Sequence, residues 1–172
     1  MTPGRQTFVV ALVLIAATVL QGRLAHIISI KGAQPDFPLV VLACGATLIG
    51  GSNAIGLAVW AGLLEAATFG MWFGSVLTSR TLAGAFAGSL QRSVIRDSVV
   101  VPPLVVLATT VVAEFVFAAM VPSSWLHHAH RWLRTVVGEL VYNTILSHPV
   151  YALLRRFGVG QPRENSFARA QK

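Results

Sequence analysis

Charge is scarce in this chain: six acidic and thirteen basic residues make up 11% of 172 positions. A soluble domain carries about a quarter charged residues, so a water-soluble globular enzyme is excluded. A disordered polymer is excluded too, because polar low-complexity stretches are missing from most of the chain. One cysteine, Cys44, is present. It forms no intrachain disulfide, which removes the secreted disulfide scaffold and leaves the redox compartment unread. Also missing are a phosphate-binding glycine loop, a dinucleotide glycine fingerprint, a paired histidine–glutamate zinc motif and a nucleophile elbow. No enzyme, cofactor or metal signature stands in their place.

What is there is hydrophobicity: 55% of the residues are apolar and the mean hydropathy is +0.70. The excess must face lipid, so the expected class is an all-α integral membrane protein. The net charge of +7 and pI near 11.1 then bear on orientation, not on nucleic-acid binding. A bilayer core of roughly 30 Å takes about 20 helical residues to cross. Phe8 to Leu20 with its flanks makes a first span, and no small-x-small cleavage site follows it, so it is expected to stay attached. From Phe37 to Ser79 only Glu65 is charged. As one helix that run would extend about 65 Å, so two spans are expected, with the turn at Gly50-Gly51-Ser52-Asn53. Ser75 to Leu90 is a weaker fourth span containing Arg80. Val99 to Val121 is the fifth, and Val136 to Leu154 the sixth after a polar connector, Pro122 to Arg134.

These divisions predict a six-helix transmembrane bundle over 1–156 and a basic tail over 157–172. With the N-terminus inside, the cytoplasmic bases are Arg5, Arg92, Arg96, Arg155, Arg156, Arg163, Arg169 and Lys172. The outer ones are Arg23, Lys31, Arg131 and Arg134. Fusing the second and third spans and flipping the N-terminus satisfies the charge rule equally, so helix length decides for six. Both counts leave the C-terminus cytoplasmic, its bases able to lie against anionic headgroups. Trp125 and Trp132 suit the outer interface.

Glu65, Arg80, Glu114 and Glu139 stand at apparent membrane depth, where charge is costly unless paired, neutralised or wet. One reading is an ion or substrate path. The other is that Arg80 neutralises carboxylates and fixes packing, which is preferred because no regular series of charges follows one helix. Arg80, Gly84 and Gly88 share a face, and Gly84-Ala-Phe-Ala-Gly88 is a small-xxx-small motif for close helix approach. That approach is either internal or toward a partner. Glu139, Asn143 and Ser147 form a polar stripe, expected to hydrogen-bond a neighbouring helix or line a cavity. His127, His128 and His130 lack a completing carboxylate or cysteine and read as a wet loop.

The order of Leu20-Gln21, Pro35-Asp36, Gly50, Gly51, Gly56, Gly62-Leu63-Leu64-Glu65, Gly70, Gly74, Leu82-Ala83-Gly84, Leu140-Val141-Tyr142-Asn143, Pro149 and Tyr151 resembles the bacterial rod shape-determining protein MreD. The resemblance runs from about Gln21 to Arg156. The chain departs from the family pattern in carrying Glu65 where an aspartate is usual, and in Arg80. The resemblance implies a non-catalytic inner-membrane subunit of the cell-elongation machinery. Such a subunit acts with MreC and links MreB filaments to peptidoglycan synthesis by RodA and its transpeptidase partner. MreD helices also resemble the substrate-binding subunits of energy-coupling-factor transporters, which makes a small-molecule uptake subunit the rival expectation.

Overall fold

The structure is a computed structural model that describes residues 2–25, 27–30, 32–70, 72–92, 100–121 and 129–160, with backbone alone at 92 and 129–131. Among them are six α-helices and no strand, only an isolated bridge between Ile30 and Ala33. The helices are α1 (Pro3–Leu24), α2 (Phe37–Ile49), α3 (Gly51–Phe69), α4 (Phe73–Ser89), α5 (Val101–Met120) and α6 (Ala129–Arg156). A short 3₁₀ turn, Leu90–Arg92, closes α4.

α2 is the axis of the bundle: it packs on all five other helices, and Pro38 through Leu48 are all buried. At 1.5 Å per residue its 13 residues reach only about 20 Å, short of a bilayer core. A helix wrapped by protein does not have to match lipid thickness, because capping groups, and not headgroups, satisfy its ends. Asp36 caps the start, its Oδ1 accepting the Leu39 N–H at 2.9 Å. At the other end Gln91 Nε2 donates to the carbonyls of Leu48 (3.4 Å) and Ile49 (2.8 Å), which the helix itself leaves unbonded. Gly50 ends α2 with φ +66, and a Cβ there would occupy the space of the Gln91 amide. The break within the long apolar run therefore falls at the expected turn. α3 stops at Phe69, before the apolar run reaches the fourth span expected from Ser75. Gly70 takes the left-handed cap conformation and its N–H bonds Ala66. α6 begins at Ala129, inside the expected polar connector, and stays helical through Pro149. Packing likewise continues past the expected boundary at 156, since Val159 is fully buried.

Three of the helices, α1, α3 and α5, are long and apolar enough to cross a membrane. Their outward faces carry rows of exposed apolar side chains, such as Phe8, Leu12, Ile15 and Val19 on α1 and Leu104, Leu107, Val111 and Phe115 on α5. α6 adds Leu133, Val137, Val141 and Ile145. In water patches of that extent promote aggregation; hydrocarbon solvates them.

The two ends of the bundle differ. At one, the Gly160 N–H donates to Gln6 of α1 at 3.2 Å and Gly160 lies against Leu48 at the end of α2. The start of α1 and the end of α6 thus meet on one side, as an even number of crossings requires. At the opposite end lie the polar groups described next.

Candidate functional site

Arg80 lies in the first half of α4 and is buried at 9% exposure. Its guanidinium grips Glu65 of α3 with two parallel bonds, Nε to Oε2 at 2.8 Å and Nη2 to Oε1 at 2.5 Å. This fork geometry is strong and directional for arginine and carboxylate. Nη2 also donates to Asp36 Oδ2. One cation thus faces two carboxylates from two other elements. In low dielectric each of the three charges would be costly alone.

Asp36 carries the network onward. While its side chain caps α2 and holds Arg80, its N–H donates to Asn143 Oδ1 of α6 at 2.9 Å. Asn143, fully buried, donates through Nδ2 to Thr110 of α5 at 3.3 Å and Glu139 at 3.4 Å. On the other side Gln21 of α1 brackets the chain entering α2. Its Nε2 donates to the Pro35 carbonyl and its Oε1 accepts the Phe37 N–H, both at 2.9 Å. All six helices contribute a group to this cluster. Asp36 sits at its centre because it alone lies at a helix start surrounded by the other five.

Around the cluster is a cavity of about 300 Å³, lined by Asp36, Glu65, Arg80, Glu114, Glu139 and Gln21 among others. It lies toward the bundle end opposite the start of α1 and the end of α6. Glu114 and Glu139 line it without a salt bridge to any described cation. Among the described residues no three His, Cys, Asp or Glu side chains are arranged to hold a metal ion.

The residues singled out from sequence fall into three places. Glu65, Arg80, Glu114, Glu139 and Asn143 come together in the cluster and its cavity. Ser147 lies deeper on the same face of α6, its Oγ bonded to the Thr144 carbonyl and its own carbonyl facing Cys44 Sγ at 3.8 Å. Glu65 is buried beside Arg80 within this cluster. Gly84 and Gly88 stand apart. A Cβ on Gly84 would collide with Ala58, and one on Gly88 would come within 2.5 Å of the Ala54 Cβ. Gly62, one further turn along α3, lies against the Leu77 backbone in the same way. Ala54, Ala58 and Gly62 therefore form a small-residue row that fills the α4 glycine face from within the chain. Of the two alternatives for this face, internal packing and approach to a partner, α3 provides the internal contact.

Sequence reasoning misses Asp36 and Gln21 as site residues. A carboxylate after proline reads as the end of a solvated loop. The available signal is the lone arginine of the fourth span, which demands carboxylates, and an Asp three residues before Leu39 at a helix start. His127, His128 and Trp125 lie outside the described residues, as does the tail 161–172; of His130 only the backbone is described.

A family model described as rod shape-determining protein MreD matches residues 5–157. No curated protein and no solved structure shows a significant match.

Proposed function

The chain belongs to the MreD family of rod shape-determining proteins, and from that membership we propose a non-catalytic inner-membrane subunit of the cell-elongation complex. In this reading it binds MreC and helps couple MreB filaments to peptidoglycan synthesis by RodA and its transpeptidase partner. The family match over residues 5–157 carries the proposal. The site chemistry is compatible with it. Arg80, Asp36, Glu65 and Asn143 bond one another, an arrangement that fixes helices relative to each other and presents no nucleophile activated by a base. Arg5, Arg155 and Arg156 lie at the bundle end where α1 begins and α6 ends, which the positive-inside rule assigns to the cytoplasm. The cavity then faces outward. With the glycine face of α4 filled, partner helices are recognised on the apolar outer rows of α1, α5 or α6.

The test is co-purification. Tagged protein solubilised from its own membranes should carry MreC with it, at least tenfold above a tagged six-helix protein of another family. Recovery no higher than that control, before and after membrane-permeant cross-linking, would contradict the reading. The cavity favours one further reading, the substrate-binding subunit of a small-molecule uptake transporter. A vitamin bound tightly through purification would support that alternative.

A further inference from the structure

We propose that the hook between α1 and α2, carrying Ile27, Ile28 and Ile30, docks into lipid of the outer leaflet where headgroups meet acyl chains. It thereby fixes the depth at which the central helix begins. The inference rests on the membrane reading of the bundle, not on the elongation-complex reading. Backbone that leaves a helix beside lipid must have its polar groups bonded within the protein, and this turn is built that way. The N–H groups of Ile27 and Ile28 both reach the Leu24 carbonyl, at 3.0 and 3.2 Å, while Ile30 and Ala33 exchange bonds of 2.9 and 3.0 Å. The Ile28 carbonyl accepts the Tyr142 hydroxyl of α6 at 2.8 Å. Ala33 packs directly on Gly138, one turn of α6 away. The hook is thus clamped to α6 while its isoleucines stand clear of the protein, Ile27 76% and Ile30 63% exposed. In water such a patch promotes association; at the lipid boundary it is solvated. The depth agrees. Tyr142 stands 13 residues before Arg155, about 20 Å along α6, and Leu24 stands 19 residues after Arg5, about 29 Å along α1. With those arginines at the inner rim, the hook falls in the outer third of a hydrocarbon core of roughly 30 Å. Exposed Leu20 and Leu24 on α1 and Val137 and Val141 on α6 join it to the rows already facing hydrocarbon.

The experiment is nitroxide accessibility in the full chain, reconstituted into vesicles of phosphatidylethanolamine and phosphatidylglycerol. In a C44A background a spin label is placed by I27C or I30C, and either position carries the test alone should the other variant not fold. V19C, on the apolar face of α1, is the lipid control, and T2C, exposed before the first turn of α1, is the aqueous one. Molecular oxygen concentrates in acyl chains and a neutral nickel chelate in water, so the ratio of the two accessibilities reads depth. The ratio at 27 and 30 should exceed that at Thr2 by about threefold or more and approach that at Val19, as a site below the headgroups requires. A ratio equal to that at Thr2, with Val19 reading as lipid, overturns the proposal, because the hook is then in water. Low accessibility to both reagents overturns it too, because protein, such as a second copy of the chain, then covers the isoleucines. If Val19 itself reads as aqueous, the membrane reading fails and the proposal falls with it, a result distinct from a wet hook on an embedded bundle.

Discussion

Arg80→Leu will cost the folded chain about 3–5 kcal/mol, the expected penalty for leaving a buried charge without its partner. Two carboxylates lose their cation at once: Glu65, held by two bonds, and Asp36. Asp36 is also the N-cap of α2 and the donor to Asn143, so the disturbance reaches the central helix and α6. The measurement is thermal unfolding in detergent alongside the yield of monodisperse protein. Arg80→Lys should recover only part of the loss, because an ammonium cannot reproduce the planar fork to Glu65. The informative comparison is the triple variant R80L/D36N/E65Q. If the cost comes from orphaned charge, neutralising both carboxylates should recover more than half of it, whereas simple loss of packing volume would leave the triple variant as unstable as R80L.

The second large effect concerns the α3–α4 seam. Gly84→Leu forces a branched side chain into space held by Ala58, and overpacking of this kind costs about 1–3 kcal/mol when neighbours can shift. Here they cannot shift easily, since Gly62 against Leu77 and Gly88 against Ala54 hold the two helices at close range along their length. The effect should therefore reach or exceed the upper end of that range. Gly84→Ala should be milder, and A58G in the same chain should relieve it by vacating the colliding methyl. Thermal unfolding of G84A, A58G and G84A/A58G closes the cycle. Additive losses, with no relief in the double variant, would mean that the two residues do not touch.

Much of the architecture is legible from composition and hydrophobic run length. Apolar runs interrupted by rare charges set the number of helices, and the glycine pair at 50–51 sets the break inside the longest run. What the pattern does not supply is α2's shortness, because a buried axial helix and a lipid-facing one are equally apolar. The cap at Gly70 is likewise visible as a residue but not as a stop, since glycines recur all through α3. Within the site, Glu65, Arg80, Glu114, Glu139 and Asn143 stand out because polar groups at membrane depth need partners. The pairing does not, because Glu65 and Arg80 are 15 residues apart across a turn whose geometry sets their register. Asp36 is harder still: its partners Arg80 and Asn143 lie 44 and 107 positions away. The small-residue row Ala54, Ala58, Gly62 has helical spacing that can be read beforehand. Seeing it as the complement of Gly84 and Gly88 requires the antiparallel alignment of α3 with α4.

The central claim, a structural part in setting rod shape, is tested most directly by cell morphology. In a rod-shaped bacterium depleted of its own MreD, this chain should restore cylindrical cells, while R80L, expressed from the same promoter, should leave them round. Cells that stay rod-shaped throughout depletion, or that remain round with wild-type protein present in the membrane, would contradict it.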